Sequence, residues 1–273
     1  GYMLARESNL ISAEGIRLFL EDPQVEIKIF DAISSTNLEA RQLAVSGMAG
    51  HGSFVVAMEQ TAGRGRRGRE FYSPKGSGIY LSVILEPKGT LEGSLLITTA
   101  AATAVYKAVK EVCGVKLGIK WVNDLVLHQK KVCGILTEMC MEAGEIRYVI
   151  IGIGINVNEE EKDFPEELRK IATSFSIEMG KTFSREKLIG EMVKELDQMS
   201  SGFLTQKETY LEEYRKFCIT TGKEVCVISG ESKRRAYALC VNEYYSLEVE
   251  YEDGNRESLN AGEVSVRGIE GYI

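Results

Sequence analysis

The segment Gly63–Arg69 reads Gly-Arg-Gly-Arg-Arg-Gly-Arg, and its glycines match the G-x-G-x-x-G pattern of dinucleotide-binding folds. In such folds the pattern follows a strand and opens a helix, with small residues between the glycines. Residues 53–59 have strand character, but residues 70–73 cannot open a helix because Pro74 restricts the residue before it. In addition, the residues between the glycines are arginines rather than small residues. The segment therefore predicts a mobile loop, here named the arginine loop, that orders when phosphate or carboxylate binds its guanidinium groups.

Two other interpretations of the arginine loop stay open at this point: a solvated basic surface loop, and an RNA-binding arginine-glycine segment. The run is short, occurs once and lies between predicted strands, which favours an anion site within a folded domain. The chain has 33 basic and 40 acidic residues, for a formal net charge of -7. Such a chain is not built to lie on nucleic acid or anionic lipid, so the anion site must be local.

Length and composition allow a sizeable core. The chain has 273 residues, 44% of them hydrophobic, which suits one large domain or a large and a small one. Six cysteines without a C-x-x-C pair and only two histidines disfavour a zinc site and favour reduced thiols, so we expect a cytoplasmic protein. No apolar run approaches the roughly 20 residues that span a bilayer, and residues 1–20 lack the order of a signal peptide.

Hydrophobic periodicity predicts a large sheet covered by helices in the first part of the chain. After a short helix that follows Ser12, we expect strands over residues 25–30, 53–59, 78–85, 117–127, 131–139 and 146–157, and helices over 34–45 and 93–112. Thr36 and Glu39 have capping-box spacing. Consecutive strands with few crossover helices favour a mixed or antiparallel sheet over a doubly wound one.

The pattern changes twice in the second part of the chain. It predicts helices over residues 165–172, 184–199 and 205–217, and then short strands over 224–228, 235–241, 245–251 and 264–267 with a turn at Asp253-Gly254. We therefore expect an α/β (α+β) domain over residues 1–219 and a small β-barrel over residues 220–273.

Three features carry candidate chemistry. Residues 120–124 read Lys-Trp-Val-Asn-Asp, a dense polar cluster, although Trp121 could simply pack and Asp124 cap a turn. Lys131 begins an otherwise apolar strand, where an ammonium is costly unless it meets an anion. Gly152 and Gly154 leave room beside a strand for a flat ring or a neighbouring helix.

These features together favour the activation of a carboxylate by a nucleotide. An adenylate forms when a carboxylate and an α-phosphate are brought together, and arginine and lysine offset their repulsion and stabilise the transition state. An acidic residue able to hold magnesium completes the set. No Walker A loop, Ser-His-Asp set or H-E-x-x-H helix is present in the sequence, so P-loop and hydrolase interpretations have no support.

The same stretches resemble biotin protein ligases, in family order and with family-like spacing over most of the chain. The matching stretches are Ser35-Thr36-Asn37, residues 59–68 (Glu-Gln-Thr-Ala-Gly-Arg-Gly-Arg-Arg-Gly), residues 120–124, residues 131–136 (Lys-Val-Cys-Gly-Ile-Leu) and residues 152–156 (Gly-Ile-Gly-Ile-Asn). The resemblance implies a catalytic domain related to class II aminoacyl-tRNA synthetases, with a mixed sheet flanked by helices, followed by a C-terminal SH3-like barrel.

The resemblance also implies a role for each matching residue. For biotin it implies Ser35, Thr36, Asn37, Gln60, Gly63, Arg64, Arg66, Arg67, Gly68, Lys131 and Gly134. For ATP and the adenylate it implies Arg64, Arg66, Arg67, Phe71, Asn123, Asp124, Lys131, Gly152, Gly154 and Asn156. Lys131, Arg64 and Arg66 would be catalytic. Phe71 stands where many bacterial relatives carry tryptophan.

The implied reaction has two steps. Biotin and ATP, with Mg²⁺, give biotinyl-5'-AMP and pyrophosphate, and a lysine of biotin carboxyl carrier protein then attacks the mixed anhydride. The resemblance allows a homodimer and implies no nucleic-acid or membrane partner for this chain. Many bacterial relatives begin with a helix-turn-helix repressor domain, and residues 1–4 resemble the end of its wing, so we expect a bifunctional parent. A lipoate protein ligase and a nucleic-acid-binding module stay as alternatives.

Overall fold

A computed structural model of the protein describes residues 10–21, 24–86, 94–142, 145–202, 205–260 and 265–268. The helices within these ranges are α1 (Ala13–Arg17), α2 (Thr36–Val45), α3 (Ser94–Cys113), α4 (Phe175–Met179), α5 (Arg185–Gly202) and α6 (Lys207–Phe217). The strands are β1 (Ile27–Phe30), β2 (Phe54–Ala57), β3 (Ile79–Leu85), β4 (Gly118–Lys120), β5 (Asp124–Leu127), β6 (Lys130–Glu142), β7 (Glu145–Ile155), β8 (Lys223–Ser229), β9 (Ser232–Val241), β10 (Leu247–Tyr251), β11 (Arg256–Leu259) and β12 (Ser265–Gly268).

The larger sheet is mixed, as predicted. Its strands lie in the order β1-β2-β3-β7-β6-β5-β4, and β1 is parallel to β2 while every other neighbouring pair is antiparallel. Alternate side chains of a strand point to opposite faces, so each strand serves two layers. Phe54 and Val56 of β2 join the large core beneath α3, α5 and α6, while Val55 packs with α2 on the other face.

The smaller sheet is antiparallel, with the order β11-β10-β9-β8-β12, and is consistent with the predicted small barrel. It packs against the turn between β4 and β5. The backbone N–H of Trp121 donates to Thr220 Oγ1 (2.8 Å), and its indole N–H donates to the carbonyl of Tyr245 (3.1 Å). The hydrophobic core is continuous across this contact. The division of the chain at residue 220 stays a prediction.

The predicted helix over residues 165–172 is wrong. This segment is a series of turns that begins with a 2.9 Å bond from Leu168 N–H to the Pro165 carbonyl, and it ends in a parallel bridge between Ala172 and Lys131. Turns over residues 166–171, followed by the bridge of Ala172 to β6, take the place of the predicted helix. The short helix α4 follows directly and was not predicted, although Ser174 is its N-cap.

Two further predictions are corrected by local turns. Residues 117–127 do not form one strand, because residues 121–123 make the turn of a tight β4–β5 hairpin. Strand β11 was not predicted, and it follows the Asp253-Gly254 turn as the partner of β10. The N-cap of α2 is Ser35 rather than Thr36, and its side chain makes no capping hydrogen bond. The expectations for residues 1–4 and the first residue of the last predicted strand, Val264, lie outside the described residues.

Among the described residues, no helix combines the length and the apolar character needed to cross a bilayer.

Candidate functional site

A cavity of about 330 Å³ opens beside β6 and β7, between the start of α2, the arginine loop, the β4–β5 turn, residues 164–172 and β12. Most of the predicted site residues line it. They are Ser35, Thr36, Asn37, Gln60, Arg64, Arg66, Arg67, Phe71, Asn123, Asp124, Lys131, Gly134, Gly152, Gly154 and Asn156. Gly63 and Gly68 are not in its wall. The cavity gathers residues that are more than a hundred positions apart in the chain.

A neutral hydrogen-bonding network lies at the start of α2. The carbonyl oxygen of the Gln60 side chain accepts from the backbone N–H of Thr36 (2.9 Å) and from its hydroxyl (3.1 Å). The Gln60 amide donates to the hydroxyl of Ser73 (3.0 Å). The buried Ser82 hydroxyl lies 2.7 Å from Thr36 Oγ1 and 2.6 Å from Asn37 Oδ1. This wall offers fixed, uncharged donors and acceptors to a polar ligand.

Gly152 makes room for α2. The Asn37 amide donates to Glu138 Oε2 (2.7 Å) and to the carbonyl of Leu136 (3.3 Å), which carries its carboxamide across β6 and β7. A Cβ atom on Gly152 would overlap Asn37 Oδ1. Of the two alternatives left by the sequence, the neighbouring helix is therefore what the structure places against Gly152.

Gly154 faces a flat ring, and that ring belongs to Phe71. A Cβ on Gly154 would lie 2.7 Å from Phe71 Cζ, and a Cβ on Gly134 would lie 3.4 Å from Phe71 Cε2. The two glycines are opposite each other on β7 and β6. The paired glycines thus form a flat floor on which the ring rests.

The Lys131 ammonium lies between a carboxylate and this ring. Its Nζ is 2.7 Å from Asp124 Oδ1 and 5.6 Å from the centroid of Phe71. The backbone of Lys131 is held on both sides, since its N–H donates to the Ile171 carbonyl (2.8 Å) and its carbonyl accepts from Thr173 N–H (2.9 Å). The geometry therefore fixes a compensated positive charge at the cavity wall.

The arginine loop is a compact turn. Arg64 and Glu70 form an antiparallel bridge, Gly65 N–H donates to the Arg69 carbonyl (2.7 Å), and Gly68 has a φ of 71° that favours glycine. A Cβ on Gly63 would collide with the backbone of this turn at the Phe71 carbonyl. Gly63 and Gly68 thus shape the loop from outside the cavity wall. The dependence of its order on a ligand stays a prediction.

Two arginines tie this loop to other elements. Arg66 Nη1 donates to the Asn123 side-chain carbonyl (3.1 Å), and burial lowers the pKa of Arg66 while Asp124 opposes that shift. Arg67 Nη1 donates to the carbonyl of Ile228 in β8 (3.3 Å). Arg66 is therefore directed to the β4–β5 turn, and Arg67 to the smaller sheet.

Lys120, which the sequence marks only as part of the polar cluster over residues 120–124, also lines the cavity. Its residue is 6% exposed, and burial lowers the pKa of its ammonium to about 8, with Asp124 opposing and Lys131 and Arg267 adding to the shift. The signal that could have found it is a lysine at the end of an apolar strand, beside Trp121.

Val266 and Arg267 of β12 also line the cavity, together with an apolar wall that includes Ile135, Phe164, Leu168 and Ile171. No local signal in the sequence marks the β12 residues, because their position depends on the packing of two sheets. Within the described residues there is no group of three or more His, Cys, Asp or Glu side chains that could hold a metal ion.

Known proteins resemble this chain in sequence and in fold. Residues 30–156 match the Biotin/lipoate A/B protein ligase family. The chain is 40% identical over 210 residues to the bifunctional ligase/repressor BirA of Bacillus subtilis. The matched residues cover 74% of this chain and 64% of BirA. It is 42% identical over 125 residues to the biotin--[acetyl-CoA-carboxylase] ligase of Paracoccus denitrificans. Here the matched residues cover 45% of this chain and 51% of that protein. The chain thus spans less than two thirds of these relatives.

The fold gives a longer match. The biotin protein ligase from Aquifex aeolicus in complex with biotin and ATP superposes with a TM-score of 0.77 at 28% identity, over 89% of this chain and 99% of that one. The sequence match, the mixed sheet and the polar and basic residues gathered at one cavity agree. The chain is therefore similar to biotin protein ligases, in sequence over residues 30–156 and in fold over most of its length.

Proposed function

We propose that the protein is an ATP-dependent biotin protein ligase that forms biotinyl-5'-AMP and transfers biotin to a lysine of biotin carboxyl carrier protein. The observation that carries this proposal is the composition of one cavity. Its wall combines the uncharged network around Thr36 and Gln60 with the cations Lys131, Arg64 and Arg66. A neutral polar ring system and two anions have their complements in the same space.

In the first step, Ser35, Thr36 and Gln60 would bind the ureido ring of biotin through hydrogen bonds. Lys131 and Arg66 would hold the biotin carboxylate near the α-phosphate of ATP. A carboxylate oxygen attacks the phosphorus, and pyrophosphate leaves with the electron pair of the broken P–O bond. The fixed positive charges stabilise the negative charge that accumulates in the transition state.

In the second step, a lysine amine attacks the carbonyl carbon of the adenylate, and AMP leaves as the amide forms. Water competes with the amine, so the arginine loop must cover the intermediate until the acceptor arrives. The bond from Arg66 to Asn123 closes the loop onto the β4–β5 turn, which supports this role.

Mg²⁺ would enter with ATP, since magnesium is commonly held by substrate phosphates and one or two carboxylates. Asp124 is a carboxylate in the cavity wall and is the candidate ligand. Magnesium would neutralise part of the phosphate charge. The cysteines are all free, which supports a reducing compartment and, in our proposal, the cytoplasm. A homodimer is compatible with the proposal and is left to measurement of the mass in solution.

Biotin-dependent exchange of label between pyrophosphate and ATP tests the first step. We expect exchange with biotin and none with lipoate. Exchange with lipoate alone would replace the proposal with a lipoate protein ligase, and salt-sensitive RNA or DNA binding without any exchange would favour a nucleic-acid-binding module. Biotin incorporation into a carrier domain, read by mass spectrometry, tests the second step.

A further inference from the structure

The smaller sheet reaches the mouth of the cavity at two places. Val266 and Arg267 of β12 lie in the cavity wall, and the Ile228 carbonyl of β8 accepts a hydrogen bond from Arg67 of the arginine loop. Any macromolecule that approaches the mouth therefore meets this sheet as well as the loop.

Strand register decides which side chains of the smaller sheet share the face of Arg267. Arg267 is opposite Cys226 on β8, and Cys226 is opposite Arg235 on β9. Directly opposed residues of antiparallel strands point to the same face. Arg267 and Arg235 therefore lie in one row, and Lys233 lies two residues further along the same face of β9.

The opposite face of these strands is apolar and buried. Val225, Val227, Ala236 and Val266 alternate with the residues of that row and pack into the core. The cations are consequently directed to solvent, and Lys233, Arg235 and Arg267 are all exposed. We call Arg267, Arg235, Lys233 and the adjacent Arg67 the basic face.

The basic face is positively charged although the whole chain has a formal net charge of -7. Within the described residues, neither Lys233 nor Arg235 takes part in an ion pair, whereas Arg234 on the other side of β9 pairs with Asp253 at 3.6 Å. Two acids share the face, both opposite Tyr237: Glu224 on β8, which is exposed, and Glu250 on β10, whose charge is paired with Arg256 at 2.7 Å. The face thus keeps a net positive charge beside the cavity.

We propose that the basic face docks the protein acceptor, through carboxylates that flank its target lysine. The proposal rests on the proposed ligase function and adds the surface and the charge of the partner. An acceptor lysine must enter at the mouth while the adenylate stays covered. An acidic surface around that lysine would be steered to the mouth by Arg235 and Lys233, and long-range steering of this kind raises association rates.

The experiment compares two double variants of the full chain that change charge equally. Arg235→Glu/Lys233→Glu reverses the basic face, and Lys110→Glu/Lys187→Glu reverses two exposed lysines of α3 and α5 outside the cavity wall. The probe is a biotin carboxyl carrier domain with net negative charge around its acceptor lysine. A second form of that domain has those carboxylates changed to amides.

We expect the basic-face variant to lower kcat/KM for the acidic carrier domain on the order of 10-fold at low salt. Biotin-dependent pyrophosphate exchange and hydroxylamine trapping of the adenylate should match wild type, because neither needs protein docking. The amide form of the carrier should be a poorer substrate of the wild type and should be insensitive to the variant. The control variant should behave as wild type throughout.

Equal transfer by the two double variants at low salt would overturn the docking surface while leaving the ligase function intact. Loss of single-stranded oligonucleotide binding in the basic-face variant, with transfer unchanged, would assign the face to nucleic acid instead. Absence of biotin-dependent exchange in the wild type would instead count against the proposed function, so the two failures are distinguishable.

Discussion

The ammonium of Lys131 lies 2.7 Å from a carboxylate oxygen of Asp124, and both residues line the cavity. Asp124 begins β5 and Lys131 lies near the start of β6, so a single hairpin fixes both charges. An anionic substrate would compete with Asp124 for the ammonium. The pair therefore holds a cation in place at the wall without leaving it uncompensated before substrate binds.

Lys131→Ala should slow adenylation about 100-fold or more, since it removes charge that stabilises the transition state. Biotin affinity should change little, because the proposed ring contacts lie at Thr36 and Gln60. Single-turnover formation of biotinyl-5'-AMP and calorimetric biotin binding measure the two effects. Lys130→Ala is the matched control, as this neighbouring lysine is outside the cavity wall. An unchanged single-turnover rate in Lys131→Ala would refute the assigned role.

Arg66→Ala should release the adenylate into solution faster than wild type, because the loop loses its bond to Asn123. Asn123→Ala should have the same effect in the same direction, since it removes the acceptor of that bond. Arg66→Lys keeps the charge without the planar fork of donors and should be intermediate. Filtration of enzyme preloaded with labelled biotin, in the absence of an acceptor, measures release. Wild-type retention in both alanine variants would show that the loop does not cover the intermediate through this contact.

Lys120 lines the cavity that would hold ATP, so its charge should make ATP binding depend on pH. Burial lowers the pKa of Lys120 to about 8, so this ammonium is protonated below about pH 8 and loses its charge as pH rises through that value. KM for ATP should therefore rise between pH 7 and pH 9, by about tenfold if one charged contact of about 1.4 kcal/mol is lost. Lys120→Arg should flatten the profile, because arginine stays protonated over this range. A wild-type profile in Lys120→Arg would assign the pH dependence to another group.

Gly154→Ala should destabilise the protein by about 1–3 kcal/mol, as the added methyl group overlaps the Phe71 ring. Phe71→Leu removes the ring, so the double variant Gly154→Ala/Phe71→Leu should recover part of the loss. Urea unfolding of the two single variants and the double variant gives the coupling free energy, and a value above about 0.5 kcal/mol is expected for residues in contact.

Gly65→Ala is the control for this cycle. Its Cβ would lie 3.4 Å from the nearest atom, at a backbone φ of -115° that any residue adopts. Its free energy of unfolding should stay near wild type. Additive effects of Gly154→Ala and Phe71→Leu would contradict the packing of the ring on the glycine floor.

The sequence predicted the parts of the fold that depend on local pattern. The succession of strands gave the mixed sheet, and arginine at the spacer positions of the glycine motif separated this loop from a dinucleotide site. Residues that are contiguous in the chain, such as Asn123 and Asp124, could be assigned together to one candidate site because a short motif carries them. Both residues line the cavity, and their roles stay predictions.

Features that depend on distant residues could not be predicted in this way. Nothing local in Gly154 indicates that its neighbour is Phe71, which is far away in the sequence. The helical pattern of residues 165–172 gave a wrong prediction, since turns followed by a bridge to Lys131 take the place of the helix. The position of Arg267 at the cavity depends on how the two sheets pack, which has no signature in a single strand.

The hydrogen bonds of Trp121 limit where this chain can be truncated. Its backbone and its indole donate to Thr220 and Tyr245, both beyond the predicted boundary, and its ring is buried. A fragment that stopped at residue 219 would expose the indole and leave two donors to water, beside the turn that carries Asn123 and Asp124. Low activity of such a fragment would then report a damaged cavity rather than a missing recognition module. Measurements on an intact chain with substitutions confined to the surface avoid this confusion.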